Sequence, residues 1–106
     1  MGVRRILVAN ELTSYRQSIA IVLGELHPHV DVLEVHPETL DWEVARVGPD
    51  LVICSRVTAV VEEWAANWIE LYPDCRPFST FCIGGERRTL EDVQLSDLLS
   101  VCARVL

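Results

Sequence analysis

The sequence predicts an α/β sandwich on a mostly parallel sheet. Three observations carry that expectation. Short apolar runs such as Arg4–Ala9 and Leu51–Ser55 are nearly continuous in hydrophobicity, as strands covered on both faces are. Strand-like and helix-like stretches alternate three times, then a strand, a short polar stretch and a last helix follow. The 106 residues, half of them hydrophobic and a quarter charged, suit one globular domain.

The elements follow in order. Arg4 to Ala9 reads as a buried strand. Ser14 and Gln17 have capping-box spacing, and Tyr15, Ile19, Val22, Leu23 and Leu26 recur at helical spacing as a buried stripe ended by Pro28. Val30 to Val35 is β-branched and partly alternating, as a strand nearer a sheet edge is. Thr39 precedes a short helix over Leu40–Val47, closed by Gly48-Pro49. Leu51 to Ser55 reads as a central strand, Thr58 to Tyr72 as the strongest helix, Phe78 to Ile83 as a fourth strand and Ser96 to Leu106 as the last helix. Gly84-Gly85 suits a two-residue hairpin with Glu86–Glu91 returning antiparallel; the alternative is a loop over 84–94.

Composition excludes several function classes. Nine basic against sixteen acidic residues leave a net charge of −7, unfavourable for direct nucleic-acid binding. All nine are arginines, so no lysine-dependent chemistry can operate in the chain. Without a run of about 20 apolar residues or a signal-peptide pattern, a soluble cytoplasmic protein off the membrane is expected. Cys54, Cys75, Cys82 and Cys102 form no C-x-x-C pair, and His27, His29 and His36 are explained by turn and surface positions. No metal or cofactor is expected. The functional crevice of such sheets lies at the strands' C-terminal ends, here expected to be Asn10, Glu11, Ser55, Arg56, Cys82 and Ile83.

Two stretches carry a family resemblance. Ile6-Leu7-Val8-Ala9-Asn10-Glu11 with the helix after it, and Gly48-Pro49-Asp50-Leu51-Val52-Ile53-Cys54-Ser55, resemble the receiver domain of bacterial two-component response regulators. The resemblance covers about the first 85 residues well and the last helix loosely. It implies a flavodoxin-like three-layer sandwich. It also implies where the switch chemistry would sit: the acidic pair falls on Asn10 and Glu11, the phosphoacceptor on Ser55, the conserved hydroxyl on Cys82, and the family lysine has no counterpart. One carboxylate is a poor magnesium site, and a neutral serine is neither an acyl-phosphate acceptor nor its mimic. The phospho-switch is therefore expected to be lost.

Length departs from the family as well. Between the fourth strand and the last helix only about a dozen residues remain, too few for a crossover helix plus a parallel fifth strand. The expectation is thus a four-stranded parallel sheet with the fourth helix missing and an antiparallel fifth strand or a loop in its place. An uncovered sheet face would then meet a protein partner or a second copy, with Phe81 and Leu98 at the contact. Trp64 and Trp68 fit either core cover or an interface, whereas Trp42, between Asp41 and Glu43, is the expected exposed anchor. The functional expectation is a pseudo-receiver acting as a phosphorylation-independent interaction module in signalling or transcriptional regulation. The alternative is a small enzyme or ligand-binding domain using Glu11, Ser55 and Cys82.

Overall fold

The computed structural model describes residues 4–106. The chain runs β1 (Arg5–Ala9), α1 (Thr13–Leu26), β2 (Asp31–Glu34), α2 (Leu40–Val47), β3 (Leu51–Cys54), α3 (Ala59–Trp64), β4 (Trp68–Glu70), β5 (Phe78–Ile83), β6 (Glu86–Glu91) and α4 (Leu95–Val105). Six strands form one sheet in the order β2-β1-β3-β4-β5-β6. The β1–β2, β1–β3 and β3–β4 pairs are parallel, and the β4–β5 and β5–β6 pairs antiparallel.

Alternation along the strands divides the core in two. Ile6, Val8, Leu51, Ile53, Ile69 and Phe81 pack with Ile19 and Leu23 of α1 and Leu98, Val101 and Cys102 of α4. Leu7, Ala9, Val52, Cys54, Trp68 and Cys82 face the other way, onto Leu40 and Val44 of α2 and Val61 of α3. This is why Ile6–Ala9 of β1 and all of β3 are apolar at every position: each successive side chain enters a core. Local chemistry sets the helix ends. Gly48 closes α2 at φ +62°, a left-handed cap that glycine adopts without a Cβ penalty. Thr58 Oγ1 accepts the Val61 N–H at 3.1 Å to open α3, and Asp97 Oδ2 accepts the Gln94 N–H at 2.9 Å to open α4.

The sheet corrects the four-stranded parallel, flavodoxin-like expectation. The helix expected over 58–72 ends at Trp64, and Trp68–Glu70 becomes a strand beside β3. Tertiary hydrogen bonding decides this, because the buried outer edge of β3 needs backbone partners. The i,i+4 spacing of Trp64 and Trp68 imitates a helical face, yet Trp68 and Ile69 point to opposite sides of the sheet. The connection from β4 to β5, residues 71–77, is then too short for a parallel crossover, so β5 runs antiparallel.

The Gly84-Gly85 hairpin is present, with both glycines at positive φ (60° and 84°). Two details of α1 also differ from expectation. Ser14 lies inside the helix rather than at its cap, Leu12 being the uncapped N-cap residue. Of the expected stripe, Ile19 and Leu23 are buried, but Tyr15 and Leu26 are exposed and the polar Arg16 is buried instead.

Candidate functional site

The chain leaves β1 toward β2 on one side and β3 on the other, so the C-terminal ends of β1 and β3 form a topological switch point. A crevice of about 390 Å³ opens there, lined by Asn10, Glu11, Leu12, Tyr15 and Ser55 and by the segment from Leu71 to Pro77. The Ser55 hydroxyl oxygen accepts the Glu11 N–H at 2.9 Å, tying the two strand ends together. Asn10 is 2 % exposed. Its backbone carbonyl accepts from Arg16 Nη1 at 3.0 Å, while its side-chain Oδ1 is buried with no hydrogen-bond partner. Arg16 is fixed in turn by Glu34 at the end of β2, at 3.0 Å. One buried guanidinium therefore links β1, α1 and β2 beneath the crevice.

The far wall is the β4–β5 connection. Tyr72, Asp74 and Cys75 all have left-handed backbones, with φ of 48°, 53° and 58°. For a tyrosine that conformation is strained and is held by its surroundings. The Tyr72 N–H donates to the buried Ser79 Oγ at 3.0 Å, and its ring stacks on Tyr15 with centroids 6.4 Å apart. Burial, followed by the Tyr15 hydroxyl and the Asp92 and Asp97 carboxylates, raises the Tyr72 phenol above its ordinary value. Asp74 pairs with Arg56 at 2.7 Å and, with weaker help from Glu11 and Glu70, holds that guanidinium more firmly charged. Glu70 is occupied in accepting the Val57 N–H at 2.8 Å.

The residues singled out in the sequence divide. Asn10, Glu11 and Ser55 meet in the crevice. Cys82 and Ile83 do not: because β5 is antiparallel, Cys82 stands in the row of Trp68 and Val52, toward the opposite end of the sheet. The residues just ahead of β5, Arg76 and Pro77, reach the crevice instead. Phe81 and Leu98 lie inside the chain's own core beneath α4, which removes them as interface residues. Trp42 is exposed at 67 %, with the Arg46 guanidinium 5.6 Å from its ring centroid; Trp64 is exposed at 61 %, and Trp68 is core.

Among the described residues no group of His, Cys, Asp and Glu is placed to hold a metal ion, and no helix is long and apolar enough to cross a membrane. The crevice lining contains no imidazole to take a proton from Ser55. What it offers is hydrogen bonding from Asn10, Glu11 and Ser55 beside two aromatic rings. Sequence reasoning missed Tyr15, Arg16 and the 72–77 wall. The signal for the wall is Pro73-Asp74 and Pro77, turn residues just beyond the helix expected over 58–72. No protein-family model, curated protein or solved structure matches the chain.

Proposed function

We propose that the chain is a non-enzymatic, phosphorylation-independent protein-interaction module of signal transduction or transcriptional regulation, related to receiver domains through its β1–β3 half. The observation carrying this reading is the outward display of Trp42 and Trp64 from the adjoining helices α2 and α3. Large exposed aromatics are costly to leave in water and are enriched at the energetic centres of interfaces. An Asp41–Thr58 hydrogen bond of 2.5 Å joins the starts of the two helices, so this layer is a firm platform. Ser55 supports independence from phosphorylation: it is neutral, and its oxygen is already engaged with the Glu11 amide.

The partner is a protein or a second copy of this chain in the cytoplasm; the net charge of −7 disfavours direct nucleic-acid contact. Affinity capture with the wild-type chain and a Trp42→Ala/Trp64→Ala variant, with sedimentation equilibrium at micromolar concentration, tests the reading. Specific partners, or a dimer, should be lost in the variant. Retention of every partner by the variant overturns the role of this face. Acetyl phosphate with magnesium should leave the intact mass unchanged, and a stoichiometric acid-labile phosphoryl adduct would refute phosphorylation independence.

A further inference from the structure

We infer that the β1/β3 crevice is a binding site for an uncharged planar heterocycle of the nucleobase class, read at its edge by the Asn10 carboxamide and stacked on Tyr15 and Tyr72. This does not rest on the interaction face of α2 and α3. Its first support is Asn10. The side chain lines the crevice, is almost fully buried, and its Oδ1 finds no partner in the chain. Buried polar groups are nearly always satisfied, so an orphaned carboxamide oxygen on a residue at the wall of a cavity marks a missing partner. A carboxamide presents a donor and an acceptor side by side and can turn over to exchange them. That pattern complements an edge carrying an adjacent acceptor and donor, as nucleobases do.

The walls supply the second support. Tyr15 and Tyr72 line this crevice, and both also line an adjoining cavity of about 370 Å³. Tyr15 is 48 % exposed, whereas Tyr72 is partly buried against the core and its backbone N–H is held by Ser79. The two rings stack on each other with centroids 6.4 Å apart, so a flat ligand takes its stacking surface on Tyr72 by displacing the more exposed Tyr15 ring. Leu71 adds apolar contact beneath them, and Ser55 retains a hydroxyl proton with which to donate to an acceptor on the ring.

Charge decides against a phosphorylated ligand. Glu11 and Asp74 line the crevice, Asp74 takes the Arg56 guanidinium, and Arg76 is a single cation in the lining against those two carboxylates. A phosphate would enter beside carboxylates on a chain of net charge −7.

Titration of the full chain with adenine, adenosine, cytosine, uracil and adenosine monophosphate, followed by calorimetry and by the amide and Asn side-chain NH₂ resonances, tests the inference. At least one free base should bind saturably, shifting the Asn10 NH₂ pair and the Tyr72 amide, and the monophosphate should bind about tenfold or more weakly than adenine or adenosine. Asn10→Leu should abolish binding, and Tyr15→Ala, at an exposed site that leaves the core intact, should weaken it about tenfold. Absence of saturable binding by any of the bases overturns the proposal. So does unchanged affinity in Tyr15→Ala, or tighter binding of the monophosphate, which would make the crevice an anion site.

Discussion

Cys54 and Cys102 are sealed in opposite layers of the core, and burial pushes both thiols up to about 12; Glu70 adds to the rise at Cys54. The folded state therefore keeps these protons at a pH where the unfolded chain has lost them. Their contribution is intact below the ordinary thiol value of 9.0 and is lost as pH rises from there toward about 12. The expected loss is about 1.4 kcal/mol per pH unit for each thiol across that window. Urea unfolding at pH 8 and pH 10.5 reads this free of any lysine titration, the raised Tyr72 phenol adding a fall of the same sign in both proteins, and Cys102→Ala should flatten the slope. A wild-type stability that does not fall between those pH values would contradict the burial of both groups. In the same fold Cys75 is exposed, so native labelling should modify one thiol quickly and the other three only on unfolding. The burial of Cys54 and Cys102 was legible from their apolar neighbours. The burial of Arg16 was not: a helix-stripe reading has no place for a guanidinium whose partners, Asn10 and Glu34, arrive from two different strands.

Asn67 does at the level of elements what no pattern along the chain announces. Its Nδ2 donates to the Asp50 carbonyl ahead of β3 at 3.0 Å, and its Oδ1 accepts the Gly84 N–H in the hairpin turn at 2.8 Å. It thereby pins the start of β4 between two connections that are distant in sequence. Asn67→Ala should cost about 2 kcal/mol in urea unfolding, for two lost hydrogen bonds, and Asn67→Asp, which keeps the acceptor, about half of that. Equal stability of both variants and wild type would show that β4 is held by strand pairing alone. Local rules succeeded where the chain settles its own geometry: Gly48 and the Gly84-Gly85 pair take the positive φ angles their turns require. They failed over 58–72, where alternating burial of Trp68 and Ile69 won against helical spacing.

Charge and sheet edge set the behaviour of the whole molecule. β6 is exposed on both faces, and Glu86, Arg87, Arg88 and Glu91 blunt an edge that would otherwise invite another strand. Among the described residues six ion pairs, every one made by arginine, spread the positive charge over the molecule against an acid excess of seven. Duplex DNA should consequently show no mobility shift with micromolar protein even at about 50 mM salt, where phosphate contacts are strongest. A retarded, salt-sensitive complex would mean that some arginines act together as a basic surface.

The α/β class, β1, β3, β5, the hairpin and the meeting of Asn10, Glu11 and Ser55 at the ends of two parallel strands are legible in the residues alone. They follow from local propensity and from strands that are apolar on both faces. That β4 is a strand, that β5 is reversed, and that Cys82 stands away from the crevice while Tyr72 to Pro77 form its wall emerge with the assembled sheet. The physical reason is the open edge of β3. Its buried backbone groups require a partner, whichever segment can reach them with the shortest connection takes the place, and that competition leaves no periodic trace in the residues that win it.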